Sequence, residues 1–334
     1  MNKKWSLYNI SESRGILMGV ATLIVAFFHC YSYHFDKIFT NDFLGRLFNF
    51  LRSMGNIGVD VFLFLSAIGL YFSFSKDSNL KNFYKKRVLR IVPSIIIVAS
   101  IYYLYKGVSV NTFFKGITLF SFYLDGVRDF WYFALIIVLY ILYPLFHKII
   151  EKKDLLGLIA LLLISIGSTI LLMNTCIETY NKLEIALTRV PVFLLGVYTG
   201  KQVLNKKEIH EISIIIFLLL FIICNYLLFN FKFNPYIYVR YIYCLLGISI
   251  VFLVNYLHSK IRFEYSDKFL IFMGTYSMEV YLIFEKLSVE VRKLSYVTVH
   301  NNFVFYTLMF IITMILSFLL KKLCNLITNI KIKK

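Results

Sequence analysis

The 334-residue sequence is poor in charge, in proline and glycine, and in paired cysteine, and each shortage excludes something. Charged residues make up 16% of the chain, against about 25% in ordinary soluble domains, which excludes a standard soluble enzyme. Four prolines and fifteen glycines leave little material for long flexible linkers. The five cysteines (Cys30, Cys176, Cys224, Cys244, Cys324) are scattered, with no CxxC. That pattern suits small apolar helix residues rather than a disulfide framework or a metal centre. HExxH, P-loop and GxGxxG motifs are missing, so metal, ATP and dinucleotide chemistry have no support and no metal site is expected. No internal repeat of the kind many transporters show is visible.

What the chain has is apolar surface: 59% of its residues are hydrophobic and 18% aromatic. At about 20 residues per crossing, that suffices for roughly ten helices. Apolar runs at 15–33, 55–75, 91–105, 130–147, 155–173, 187–200, 212–229, 237–257, 269–287 and 301–320 are separated by short charged stretches. The expected fold class is an all-α polytopic membrane bundle of about ten transmembrane helices, forming one domain over residues 1–334. An even number of spans puts both termini on one side. The N-terminus, the even-numbered loops and the C-terminal tail carry 23 Lys and Arg, and the odd-numbered loops carry 10. The positive-inside rule then places both termini in the cytoplasm. In a soluble chain a net charge of +18 would suggest nucleic acid; here it marks the inner membrane face, and no nucleic-acid partner is expected. The first run follows Arg14 without a small-residue cleavage site, so it reads as a span rather than a cleaved signal.

Ionisable residues are costly in a bilayer and by default suggest function. His29 falls in the outer third of the first span, where a histidine can accept a proton near neutral pH; a helix-end histidine bonded to a carbonyl is the plainer alternative. Asp60 enters the second span at a comparable depth and could orient the His29 ring, as carboxylates do in acyl-transfer triads, or pair with an arginine for packing. The ninth span carries Glu279 near its middle and Glu285 and Lys286 at its outer end. Arg189 and Arg240, at the outer starts of spans 6 and 8, are candidate partners for these carboxylates. On the inner side, Arg87 and Arg90 are three apart and share a helix face. With Lys86 beside them they could clamp a phosphate, although basic residues next to a span also satisfy the positive-inside rule alone.

Six segments in chain order resemble one family. They are the first span with its basic residue and histidine; Gly58-Val59-Asp60-Val61-Phe62-Leu63-Phe64-Leu65-Ser66-Ala67; Lys86-Arg87-Val88-Leu89-Arg90-Ile91-Val92-Pro93; Trp131-Tyr132-Phe133 with Tyr140 and Pro144; Arg189-Val190-Pro191-Val192-Phe193-Leu194-Leu195-Gly196; and Gly274-Thr275-Tyr276-Ser277-Met278-Glu279-Val280-Tyr281-Leu282-Ile283. Together they resemble the membrane-bound acyltransferase family 3, bacterial proteins that O-acylate cell-surface glycans. Three departures stand out. Fourteen residues separate Arg14 from His29, about one helical turn more than the family spacing, which would put the arginine at Met18. Phe284, followed by Glu285, occupies the place of a late histidine. Leu135 and Ile136 fill the stretch where many members carry an acid after the tryptophan.

The resemblance implies an acyltransferase of the bacterial plasma membrane. It would move an acyl group, acetyl foremost, from cytosolic acyl-CoA to a hydroxyl of an extracytoplasmic or lipid-linked glycan, with no bound cofactor. His29 and Asp60 are then the expected catalytic pair. Arg87, Arg90 and Lys86 would bind acyl-CoA, and Arg189, Ser66, Tyr281, Glu279 and Glu285 would supply support or the oxyanion donor. The expected partners are the bilayer, acyl-CoA and the glycan, with homo-oligomerisation left open. Two rivals remain: a secondary transporter using Glu279, Glu285 and Arg240, and the membrane half of a cell-wall modification complex.

Overall fold

A computed structural model describes residues 4–30, 42–231, 236–262, 264–294 and 302–328. The all-α expectation holds, with one small addition. β1 (Lys4–Ser6) pairs antiparallel with β2 (Glu208–His210), Trp5 opposite Ile209. The Trp5 ring is buried between Phe252 and Tyr256, which anchors this strand to the bundle.

Between the strands the chain runs through α1 (Asn9–Glu12), α2 (Arg14–Phe28), α3 (Asp42–Ser53), α4 (Ile57–Lys76), α5 (Leu80–Tyr105), α6 (Val110–Ile117), α7 (Phe120–Asp125), α8 (Trp131–Thr175), α9 (Ile177–Leu187) and α10 (Val190–Leu204). After β2 come α11 (Ser213–Asn230), α12 (Ile237–Lys260), α13 (Glu264–Thr275), α14 (Ser277–Leu294) and α15 (Asn302–Thr328). α4 is apolar on all sides and buried on all sides, so it forms the centre; α2, α10 and α12 pack around it. α11 is equally apolar, yet only Ile214 and Cys224 are buried. An apolar helix exposed in this way is suited to lipid rather than water.

Among the described residues, seven helical stretches are long and apolar enough to cross a membrane: Phe43–Lys76, Leu80–Tyr105, Trp131–Thr175, Ile177–Leu204, Ser213–Asn230, Ile237–Lys260 and Val304–Thr328. The difference from the expected ten has three sources. α2 ends at Phe28, giving 15 residues where the apolar run reached residue 33; residues 31–33 lie outside the described residues. The run at 269–287 is broken at Tyr276 between α13 and α14. α8, at 45 residues, merges two of the expected runs. At about 1.5 Å per residue its length is more than twice a hydrocarbon core.

α8 does not stay straight. Asp154 takes a left-handed conformation (φ 49°), and Lys201 Nζ donates to its carboxylate at 2.9 Å. Beyond it, Gly157 lies against the carbonyl of Ile149, leaving only 2.8 Å for a Cβ. In a straight helix eight residues would separate these groups by about 12 Å. The chain therefore bends sharply here, and residues 131–153 and 155–175 form two separate helical arms. A second close approach sets the position of α2: Gly19 meets the Leu270 backbone with no room for a Cβ, so α2 and α13 cross in backbone contact.

Candidate active site

α2, α4, α5, α8 and the α13–α14 junction enclose a cavity of about 650 Å³. Four cations line it: Arg14 at the start of α2, and Lys86, Arg87 and Arg90 on the first turns of α5. Two of these are already compensated. Arg90 makes a forked pair with Glu279, Nη1–Oε1 2.8 Å and Nη2–Oε2 3.4 Å, and Glu279 is fully buried. Lys86 Nζ lies 3.4 Å from Asp77, whose carboxyl is held below its usual range first by the Asn79 backbone N–H that it accepts and then by Asn82 and Lys86.

Arg14 and Arg87 have no carboxylate partner among the described residues. Arg14 Nε donates to the Leu65 carbonyl at 3.2 Å, and its guanidinium lies against Gly69, where a Cβ would come within 2.7 Å of it. Arg87 rests on the Phe83 ring, 4.4 Å from its centroid. The two guanidiniums are close enough to act on one another electrostatically. Two uncompensated cations in a part-buried cavity favour an anion, since charge-assisted hydrogen bonds are the strong ones.

From this basin a line of hydroxyls leads inward. Ser66 neighbours both Tyr132 and Tyr140, and all three line the cavity. The cavity narrows at Phe62, Ser277 and Tyr281, which it shares with a slot of about 10 Å³ beyond them. That is room for about one water. His29, which caps the C-terminus of α2, opens onto this slot together with Glu285. Glu285 acts electrostatically on the imidazole and lies 3.3 Å from Lys286. Lys286 also reaches Asp129 at 3.5 Å, which accepts from the Tyr102 and Tyr103 hydroxyls at 3.2 and 3.1 Å.

The expected residues thus divide. Arg87, Arg90, Lys86, Ser66 and Tyr281 line the basin, and Tyr281, His29 and Glu285 line the slot. Asp60 is not brought to His29. Its buried carboxylate pairs with Arg189 Nε at 3.3 Å and accepts from Cys244 Sγ at 3.6 Å. Arg189 is 1% exposed, donates to the Ile185 carbonyl at 2.9 Å and stacks 4.9 Å from the Trp131 ring centroid. It lines neither the basin nor the slot.

Glu279 pairs with Arg90 rather than with Arg189 or Arg240, and Arg240 pairs with Glu184 at 3.4 Å. The three groups of a transporter path, Glu279, Glu285 and Arg240, therefore sit in three separate networks. Sequence reasoning passed over Asp129, Tyr132, Tyr140 and Ser277. The last three were present in the quoted motifs, but nothing in the sequence marked which side they faced.

A profile of the acyltransferase family 3 domain matches residues 16–322. The chain belongs to the acyltransferase family 3. The match takes in the whole slot and all of the basin lining except Ser11, Arg14 and Gly15. No curated protein and no solved structure matches this acyltransferase.

Proposed function

We propose that this acyltransferase moves an acyl group, acetyl foremost, from cytosolic acyl-CoA to a hydroxyl of an extracytoplasmic or lipid-linked glycan in the bacterial plasma membrane. The observation that carries the reading is the pair of uncompensated guanidiniums, Arg14 and Arg87, in a basin that narrows towards His29. In this reading each arm of α8, α2 and the broken α13–α14 stretch count as crossings, ten in all, and the positive-inside rule sets both termini in the cytoplasm and the basin at the inner face.

In this reading Arg14 and Arg87 hold the CoA phosphates. Arg90, set by Glu279, and Lys86 border them. The pantetheine arm extends past Tyr140, Ser66 and Tyr132, and its thioester reaches the constriction. There His29 takes the proton of the acceptor hydroxyl as that oxygen attacks the thioester carbonyl. The Tyr281 and Ser277 hydroxyls donate to the oxyanion. When the C–S bond breaks, the departing thiolate receives the proton from His29. Glu285, rather than Asp60, fixes the imidazole.

The test is a pair of measurements on purified protein. His29→Ala should bind acyl-CoA as the wild type does and transfer about a hundredfold or more slowly. Arg14→Ala with Arg87→Ala should weaken that binding on the order of 10- to 100-fold. Near-normal transfer by His29→Ala at equal membrane level would refute the assignment.

A further inference from the structure

α13 ends at Thr275 and α14 starts at Ser277, with Tyr276 alone between them. The Tyr276 N–H turns back to the Met273 carbonyl at 3.2 Å, and Val280 N–H donates to the Tyr276 carbonyl at 2.9 Å. A helix end leaves its last carbonyls without partners inside the helix, and hydrocarbon offers no water to answer them. At Thr275 the answer comes from another helix. Lys321 of α15 reaches across, and its Nζ donates to the Thr275 carbonyl at 2.6 Å.

Lys321 is 9% exposed, and its ammonium lies 4.7 Å from the centroid of the Tyr276 ring. Tyr276 also meets Phe318, on the preceding turn of α15, with ring centroids 6.3 Å apart. Glu279 acts on the ammonium electrostatically but is paired with Arg90. The buried cation is therefore directed at the break itself, to the negative end of α13 and to an aromatic face. The break is fixed from the other side at Gly274, which meets the Gly15 carbonyl of α2 with no room for a Cβ. Gly274, Thr275 and Ser277 line the basin, and Ser277 and Tyr281 line the slot with His29.

We propose that Lys321 is a positioning residue for acyl transfer: by holding Thr275 it sets the break between α13 and α14, and so the Ser277 and Tyr281 hydroxyls in the slot with His29. The proposal rests on the acyl-transfer reading above and adds to it a residue that lines neither basin nor slot. In the test, membrane vesicles carrying the full chain are given radiolabelled acetyl-CoA. Label in the glycan fraction is counted per molecule of protein, and acetyl-CoA affinity is measured on the same vesicles.

Lys321→Met should lower the rate at saturating acetyl-CoA about tenfold, the weight of donors slightly displaced from an oxyanion. Acetyl-CoA affinity should stay within about twofold of wild type, since the loss falls on the transition state. The decisive measurement is coupling. On a Ser277→Ala background Lys321→Met should cost about threefold or less, because residues that act as a unit are not additive. A loss of about tenfold on that background, an equal fall in rate and affinity, or a wild-type rate from Lys321→Met would overturn the proposal. If Lys321→Met does not reach the membrane, Lys321→Gln, neutral and one bond shorter, is read by the same outcomes. Wild-type vesicles that neither bind acetyl-CoA nor label glycan would overturn the acyl-transfer reading, and this proposal with it.

Discussion

The basin and the slot share Phe62, Ser277 and Tyr281 as walls, yet they are built on opposite principles. The basin is large, with two positive charges that have no carboxylate partner among the described residues. The slot has room for about one water, and Lys286, next to its Glu285, is balanced by Glu285 and Asp129. A site that binds a polyanion gains from volume and surplus charge. A site that moves a proton gains from short distances and the exclusion of water. The two designs require separation, and the Phe62–Ser277–Tyr281 constriction provides it.

The sharpest way to break this contrast is at His29. His29→Ala should lower the turnover rate by about a hundredfold or more, the usual weight of a general base, with acyl-CoA affinity unchanged by equilibrium binding. A parallel loss of affinity would mean the two compartments are one. Next in size is Arg14→Ala with Arg87→Ala. Acyl-CoA affinity should fall on the order of 10- to 100-fold, as for two charge-assisted hydrogen bonds. Transfer from an acyl-pantetheine lacking phosphates should be unaffected, and a matching loss there would remove the anion-binding assignment.

A smaller effect distinguishes the two carboxylates. Glu285→Gln should lower turnover about tenfold, a modest share of the general-base contribution, and leave thermal stability in detergent near wild type. Asp60→Asn should do the reverse, because it leaves the Arg189 guanidinium buried without its counter-charge. Its expected signature is a lower thermal midpoint with near-normal turnover per folded molecule. If Asp60→Asn instead lowered turnover without loss of stability, Asp60 would regain the orienting role. The smallest expected effect is at Gly69. Gly69→Ala puts a methyl where the Arg14 guanidinium lies, and should raise the KM for acyl-CoA about threefold while kcat is held, consistent with a displaced but intact cation.

Much of this was legible in the sequence, and the misses have physical causes. Apolar runs located the helices, and the spacing of Arg87 and Arg90 put both on the wall of the basin. The turn at Asp154 carries neither glycine nor proline, yet the charged stretch Glu151-Lys152-Lys153-Asp154 marked it by separating the runs 130–147 and 155–173. Depth along a span was readable, but direction around it was not. His29 and Asp60 seemed comparable in depth. Yet a Cβ on Gly58 would meet Val25 and the Ala21 carbonyl of α2, and two residues further on the helix has turned by about 200°. Asp60 therefore faces Arg189, on the far side of α4 from His29. Arg14 erred the other way. Its spacing from His29 seemed a turn too long, but a long side chain lying along a glycine still reaches the basin.

The length of α2 has one more consequence. Arg14 and His29 stand at opposite ends of a single uninterrupted helix, about 22 Å apart along its axis at 1.5 Å per residue. A helix resists stretching, so α2 is a measuring rod between the anchored end of the donor and its reactive end. Its backbone contact with α13 at Gly19 keeps the rod from sliding. A donor with a shorter arm would be held by its phosphates with its thioester out of reach of the base. A single residue inserted into α2 would move His29 by about 1.5 Å and turn it by about 100° away from the slot.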